Sequence, residues 1–174
     1  MKKILILGSA GSGKSTLAKR LGEITGIDVL HLDTIHWKPG WIEAPREEFL
    51  SKLKAFLEKD SWIIDGNYRS TLDMRLELAD TVIFIDMSRL FCIYRAIKRR
   101  FMYKGKSRPD ITQGCDEKID WEFLKWIWQY PIKNKPEILA KLENCLTEKE
   151  IYILKSKKEI ECFIENVKNI HATD

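Results

Sequence analysis

The chain has 174 residues, of which 44% are hydrophobic and 32% charged, so it has the size of one domain and can bury a core. This composition excludes an intrinsically disordered chain, a collagen-like repeat and a small disulfide-stabilised protein. No stretch approaches the ~18 apolar residues that a membrane span needs, and Gly8 ends the apolar N-terminal run below signal-peptide length, so we expect a cytoplasmic protein without a membrane partner.

The net charge of +4 conceals a concentrated basic segment. Residues 87–109 contain eight Lys and Arg residues and no acidic residue, whereas the rest of the chain has more acidic than basic residues. Such a segment indicates a specific anionic ligand more than a general affinity for nucleic acid, and the sequence contains no motif that recognises DNA directly. The four cysteines are too widely spaced for a zinc site and are expected to be reduced core residues.

Short apolar runs alternate with amphipathic segments along the chain, which is typical of an α/β fold with a parallel sheet. We predict five strands, at residues 2–7, 27–33, 62–65, 81–86 and 151–154. We predict helices at residues 15–24, 45–59, 88–101, 121–130, 136–146 and 156–169. The expected architecture has three layers, with helices on both faces of a parallel five-stranded sheet.

The first predicted strand leads directly into a glycine-rich segment, Gly8-Ser9-Ala10-Gly11-Ser12-Gly13-Lys14-Ser15-Thr16. It matches the phosphate-binding loop (P-loop) pattern G-x-x-x-x-G-K-[ST] in full, between a strand and a helix. Glycines let backbone N–H groups turn towards phosphate oxygens, and the helix N-terminus adds partial positive charge. Lys14 is predicted to reach the β- and γ-phosphates of ATP and Ser15 to coordinate Mg²⁺. The predicted nucleotide-binding residues of the loop are Gly8, Gly11, Ser12, Gly13, Lys14, Ser15 and Thr16.

A second carboxylate that supports Mg²⁺ is expected at the end of an apolar strand, and the sequence offers Asp65 and Asp86. Asp65 is followed by Gly66-Asn67-Tyr68-Arg69. With the P-loop, this segment resembles the adenylate kinase-like nucleoside monophosphate kinases, whose corresponding strand ends in Asp-Gly-Phe-Pro-Arg. The resemblance implies a single P-loop NTPase domain over residues 1–174 with a small lid at about 102–117. It also implies that Asp65 supports Mg²⁺ and that Arg69 binds an acceptor phosphate.

The segment Asp33-Thr34-Ile35-His36-Trp37, together with Asp-Gly-Asn-Tyr after the later strand, resembles a subgroup of the adenylate kinase-like proteins more closely. This subgroup is labelled DNA topology modulation protein (FlaR-related). The resemblance leaves two functions open. The first is transfer of the γ-phosphoryl group of ATP to a nucleotide or small molecule. The second is nucleotide-dependent regulation of DNA topology without phosphoryl transfer.

Asp33 ends the second predicted strand, close to where a phosphoryl acceptor would lie. A carboxylate there can take the proton of an acceptor hydroxyl, although an aspartate that caps a turn explains the residue equally well. His36 and Trp37 follow in the same loop, where they either stack on an acceptor ring or hold the loop against the protein. The predicted acceptor site consists of Asp33, His36, Trp37 and Arg69.

The helix predicted at residues 88–101 carries an apolar stripe that we expect to face the core, formed by Leu90, Ile93, Tyr94, Ile97 and Phe101. Two arginines, Arg95 and Arg99, lie on the opposite face. By the kinase resemblance they clamp the transferred phosphoryl group, and Arg108 binds the nucleotide from the lid. A solvated helix face is the alternative for any one of them. The predicted catalytic residues are Lys14, Asp33, Arg95 and Arg99.

The helix predicted at residues 121–130 has an unusually wide apolar surface. Burial beneath the lid explains this surface, and a contact between two copies of the chain explains it as well. The expected partners are therefore ATP, an acceptor that the sequence does not identify and, under the second interpretation, a second copy in a homodimer.

Replacement of Lys14 by Ala is expected to remove most ATP binding and essentially all ATP turnover, because the β- and γ-phosphates lose their cationic partner. Titration with a fluorescent ATP analogue measures binding, and release of ADP measures turnover. Near-normal turnover in a folded Lys14→Ala variant would contradict the assignment of the P-loop.

Overall fold

The predicted parallel five-stranded sheet is confirmed by the computed structural model, which describes residues 1–105, 108, 110–145 and 148–171. Three residues of the predicted lid, Lys106, Ser107 and Pro109, lie outside the described residues, as does Leu146 at a predicted helix end. The strands are β1 (Lys3–Gly8), β2 (Val29–His31), β3 (Trp37–Lys38), β4 (Ile42–Glu43), β5 (Trp62–Asp65), β6 (Thr81–Ile85) and β7 (Glu150–Leu154). The central sheet has the order β2-β5-β1-β6-β7, and all its pairs are parallel.

Helices cover both faces of this sheet. They are α1 (Lys14–Thr25), α2 (Leu32–His36), α3 (Arg46–Leu57), α4 (Leu72–Leu78), α5 (Arg89–Met102), α6 (Trp121–Lys133), α7 (Lys135–Glu143) and α8 (Lys157–His171). Within the described residues, no helix combines the length and the apolar character that crossing a membrane requires.

Strand β1 shows how the sheet divides the core into two layers. Successive side chains of a strand point to opposite faces. Ile4 and Ile6 therefore pack with α1, α5 and α8, whereas Leu5 and Leu7 pack with α3, α4 and α7. All four side chains are completely buried, and each contributes about 1.5–3 kcal/mol to the free energy of unfolding.

The structure differs from the sequence prediction after β2. The strand ends at His31 and the short helix α2 follows, so Asp33 lies in the first turn of a helix and not at a strand end. The β3–β4 hairpin was not predicted, because two-residue strands are too short to show an alternating pattern. Helix α4 was also missed, because Arg75, a charged residue, lies on its buried side.

Helix α5 has the opposite orientation to the one predicted. Ser88 caps its N-terminus by accepting a hydrogen bond from the Phe91 N–H, as expected. Its buried residues, however, are Cys92 and Ala96, and the expected core stripe is largely exposed. The cause is the P-loop, because a Cβ atom on Gly11 would collide with the backbone of Cys92. Only small side chains fit where a helix backbone approaches a loop so closely.

Candidate functional site

A cavity of about 1440 Å³ lies at the carboxyl ends of β1, β2 and β5. Ligands of open parallel sheets usually bind at this edge. The predicted site residues that line the cavity are Gly11, Gly13, Lys14, Ser15, Thr16, Asp33, Trp37, Asp65, Arg95, Arg99 and Arg108. Gly8 and Ser12 are buried in the P-loop and do not line it, and neither do His36 and Arg69.

The backbone of the P-loop requires its glycines. Gly8, Gly11 and Gly13 have φ angles of 144°, 76° and 109°, which L-residues with a side chain rarely adopt. A Cβ atom on Gly8 would lie 2.5 Å from the Ile85 carbonyl oxygen. Helix α1 starts immediately after Gly13, so its free N–H groups are presented at the cavity, where they favour a bound anion.

Lys14, Ser15 and Asp65 form the polar centre of the cavity. The Lys14 ammonium donates a 2.9 Å hydrogen bond to the Ser9 carbonyl oxygen and is thereby folded over the P-loop. Burial lowers the pKa of Lys14, and the charges of Asp65 and Asp33 oppose this shift. The Ser15 hydroxyl donates a 2.8 Å hydrogen bond to Asp65 Oδ2. The predicted cation and the two predicted oxygen ligands are thus brought together.

His31 is a neighbour of Asp65 that the sequence analysis missed. It pairs with Asp65 in the parallel register of β2 and β5, and its Nδ1 lies 2.5 Å from Asp65 Oδ1. Burial alone would lower the pKa of His31, but the hydrogen bond and the charge of Asp65 outweigh burial and raise it. A proton on Nδ1 would be donated to the ionised Asp65, and this contact holds the carboxylate in place with its other oxygen towards Ser15.

Asp33 faces the cavity across from this centre. The Tyr68 hydroxyl donates a 2.6 Å hydrogen bond to Asp33 Oδ1. Burial and the adjacent charge of Asp33 raise the pKa of Tyr68, so the phenol stays protonated and remains a donor. Trp37 forms part of the cavity wall. His36 packs behind it, with its ring between those of Trp37, Phe49 and Tyr68, which favours the interpretation that His36 holds the loop against the protein.

Asn67 links the segment after β5 to the P-loop. Its side-chain Oδ1 accepts a 3.2 Å hydrogen bond from the Gly8 N–H, and its Nδ2 donates a 2.8 Å hydrogen bond to the Gly8 carbonyl oxygen. The amide thus pairs with both backbone groups of one residue, as a neighbouring strand would. This contact continues the β1–β5 pairing beyond Asp65 and fixes the first residue of the P-loop.

Arg75 supports the segment that carries Asn67 and Tyr68. Its completely buried guanidinium donates four hydrogen bonds of 2.7–3.2 Å to the carbonyl oxygens of Gly66, Asn67, Tyr68 and Thr71. Burial lowers the pKa of Arg75 to about 10, so the group is still charged at neutral pH. One cation therefore sets the path of the backbone from which Asn67 reaches the P-loop and Tyr68 reaches Asp33.

Glu117 brings together two of the predicted arginines. Arg99 Nε lies 2.6 Å from Glu117 Oε1, and Arg108 Nε lies 2.7 Å from Glu117 Oε2. Arg108 also pairs with Asp110 at 2.7 Å. Glu117 is only 3% exposed, so this cluster connects α5 to the segment before α6 at one wall of the cavity.

Arg95 lies on the P-loop itself. Its Nη1 donates a 3.4 Å hydrogen bond to the Ser12 carbonyl oxygen, and its guanidinium covers Gly13 at the start of α1. The guanidinium carbon of Arg95 also lies 5.6 Å from the centroid of the Phe91 ring. Arg95 and Arg99 are thus on the side of α5 that faces the cavity.

The structure places two further candidates away from the cavity. Arg69 forms an ion pair with Glu137 at the start of α7, and its role as a ligand of an acceptor phosphate stays a prediction. Asp86 pairs with Lys135 at 2.6 Å and does not line the cavity, whereas Asp65 lies beside Ser15. Of the two strand-end carboxylates, Asp65 alone lines the cavity, and its role as a metal ligand stays a prediction.

The comparisons with solved structures show which fold the chain has. No protein-family model and no curated protein sequence matches the chain. A shikimate kinase from Acinetobacter baumannii, solved with shikimate, superposes with a TM-score of 0.59 at 14% identity over 99% of this chain and 94% of the other. A gluconokinase from Sinorhizobium meliloti gives a TM-score of 0.53 at 16% identity over 99% and 92%. The chain thus has the fold of P-loop kinases.

Replacement of Arg75 by Met is expected to lower the free energy of unfolding by about 3 kcal/mol or more, because four carbonyl groups lose a buried charged donor. Replacement of Arg46 by Met, at the exposed start of α3, should change it by about 0.5 kcal/mol or less. Urea denaturation of both variants measures the difference. Equal stabilities would mean that Arg75 does not support the segment after β5.

Proposed function

We propose that this protein is an ATP-dependent phosphotransferase that moves the γ-phosphoryl group of ATP to a hydroxyl group of a small acceptor molecule. The observation that carries the proposal is the content of one cavity. Lys14 and Ser15 of the P-loop, Asp65 beside them and the carboxylate of Asp33 all line it. A P-loop alone accounts for nucleotide binding, and Asp33 adds a group that can act on an acceptor.

The Ser15 hydroxyl and the Asp65 carboxylate suit Mg²⁺. Both are oxygen ligands, they lie 2.8 Å apart, and they adjoin the helix N-terminus that would bind the phosphates. Bound Mg²⁺ would neutralise phosphate charge during transfer. On the protein side, His31 fixes the orientation of the Asp65 carboxylate so that Oδ2 remains turned to Ser15.

Asp33 is proposed to take the proton of the acceptor hydroxyl. As the acceptor oxygen forms its bond to the γ-phosphorus, the bond from that phosphorus to the leaving ADP oxygen breaks and the proton passes to Asp33. Tyr68 donates to Oδ1 and so orients the carboxylate, whose second oxygen is the proton acceptor in this scheme. An anionic phosphate acceptor would need no such base, and for this reason Asp33 favours a hydroxyl.

The arginines of α5 are proposed to stabilise the transferred phosphoryl group. Arg95 lies on the P-loop, and Arg99 faces the cavity one helical turn further along. Arginine suits this role because its planar fork matches phosphate oxygens and keeps its charge. Arg99 and Arg108 share Glu117, so a triphosphate would compete with this carboxylate for both guanidinium groups.

The acceptor is proposed to be a small molecule with a ring or chain that contacts aromatic surface. Trp37, Trp41 and Tyr68 line the cavity near Asp33. Aromatic side chains pack well on apolar faces of ring compounds and leave their polar groups free for hydrogen bonding. The shikimate kinase with the same fold was solved with shikimate, so in that protein the fold binds a small molecule.

Acceptor-dependent ADP release is the test of this function. A panel of nucleosides, nucleoside monophosphates, sugars and small hydroxy acids is supplied with ATP and Mg²⁺. Turnover with a hydroxyl acceptor is expected, and Asp33→Asn should lower kcat by about 10²–10⁴-fold with little change in the KM for ATP. Asp73→Asn, an exposed change outside the cavity, is the control. ATP binding without turnover on any acceptor would favour the regulatory function instead.

The assignment of Asp65 has its own test. Asp65→Asn is expected to lower turnover far more than nucleotide binding, because a metal-supporting carboxylate acts chiefly in the transition state. Asp86→Asn is the matched control, since Asp86 also follows a sheet strand but pairs with Lys135. ADP release and titration with an ATP analogue separate the two effects. Loss of turnover in Asp86→Asn, with Asp65→Asn unaffected, would assign the metal to the other strand.

A further inference from the structure

Exposed apolar side chains are concentrated on helices α5 and α6. Of the thirteen large hydrophobic side chains exposed in the described part of the chain, nine lie on these two helices. Six of the nine do not line the cavity, and we call them the α5–α6 face: Leu90, Ile97 and Phe101 on α5, and Trp121, Trp128 and Ile132 on α6. Such concentration on neighbouring helices marks an interaction surface.

The six side chains form one stripe on each of two neighbouring helices. Arg89 at the start of α5 lies over the Trp128 ring at 4.4 Å, and Arg99 near its end pairs with Glu117 ahead of α6. The helices are therefore antiparallel neighbours. In each helix the three residues follow the spacing i, i+7, i+11, which places them on a single stripe. The stripe on α5 is opposite the side that carries Cys92 and Arg99.

Cations outnumber the acidic residues beside the α5–α6 face, where the exposed Asp120 and Glu122 flank Trp121. Lys125 falls within the α6 stripe by its spacing from Trp121 and Trp128, and Arg89 adjoins Trp128. Lys104 is exposed two residues after the end of α5. No acidic residue occurs anywhere in residues 87–109. A two-fold contact between two such faces would bring the same cationic segments together, which costs free energy.

In contrast to the expectation from the sequence that the protein has no membrane partner, we propose that the α5–α6 face binds the surface of an anionic lipid bilayer, with both helices lying along the headgroup region. Helices that bind in this way carry Trp, Phe and Leu on the buried side and Lys or Arg beside them. Tryptophan suits the boundary between headgroups and acyl chains, and anionic headgroups attract the cations. The cavity lies on the other side of α5, so the proposal is independent of the proposed function.

Co-sedimentation of the full chain with vesicles tests this proposal. The protein should bind vesicles of phosphatidylcholine mixed with phosphatidylglycerol, bind vesicles of phosphatidylcholine alone much more weakly, and lose affinity as salt concentration rises. The double variant Lys104→Gln/Lys125→Gln should weaken binding to the anionic vesicles alone. Equal binding to both kinds of vesicle would overturn the requirement for anionic lipid.

A triple variant isolates the apolar part of the surface. Leu90→Gln/Phe101→Gln/Ile132→Gln changes side chains that are 68%, 76% and 68% exposed, so the fold should be retained. Binding to anionic vesicles should fall by about 100-fold or more. The matched control is Ile42→Gln/Ile153→Gln/Ile170→Gln, which changes exposed isoleucines elsewhere and should leave binding unaltered.

Two results of the vesicle experiments would overturn the proposal: equal vesicle binding by the triple variant and its control, and failure of the unaltered protein to bind anionic vesicles. Sedimentation velocity without vesicles then tests whether the face binds a second copy of the chain. A dimer of the unaltered protein that the triple variant loses, together with the absence of vesicle binding, would assign the face to that contact.

Discussion

A single buried cation positions both halves of the site. The guanidinium of Arg75 donates hydrogen bonds to four backbone carbonyl groups at the segment where the chain leaves β5. From this segment Asn67 reaches Gly8 at the start of the P-loop, and Tyr68 reaches Asp33 on α2. The phosphate-binding side and the acceptor side of the cavity therefore share one support. The cost of burying the charge is offset by carbonyl oxygens aimed at it.

The close approach of α5 to the P-loop is a second constraint. It determines which side chains lie on the inward side of α5, on the side that faces the cavity and on the outer side. Because Gly11 touches the backbone of Cys92, the inward side of α5 accepts only small side chains, and Cys92 and Ala96 occupy it. Arg95 and Arg99 extend past this contact into the cavity. Leu90, Ile97 and Phe101 are turned away from this contact and lie on the outer surface, where they form part of the α5–α6 face.

The parts of the structure that depend on local sequence could be predicted. The P-loop glycines and Lys14 follow from a contiguous motif, the strands of the central sheet follow from apolar runs, and the parallel five-stranded sheet is confirmed. The predicted orientation of α5 was wrong, because periodicity identifies the apolar side of a helix and not the side that the rest of the fold covers. His31 was missed because its contact with Asp65 depends on the register of two strands that are distant in sequence.

Arg75 was missed for a different reason. A charged residue in a short apolar segment argues against burial unless its partners are known, and here the partners are backbone carbonyls that carry no sequence signal. The Asp-Gly-Asn-Tyr segment was recognised only by resemblance. The structure supplies the physical reason for two of its residues. The Asn67 side chain makes with Gly8 the hydrogen bonds that a neighbouring strand would make, and Tyr68 orients Asp33.

The basic segment of residues 87–109 has two different environments, which its composition alone does not reveal. Four of its eight cations line the cavity: Arg95, Lys98, Arg99 and Arg108. Glu117 and Asp110, which follow the segment in sequence, compensate two of these charges at close range. Arg89, beside Trp128, has the apolar outer surface as its environment. Because one helix separates the two groups, a polyanion in the cavity and an anionic surface outside would be attracted by different residues and would not compete.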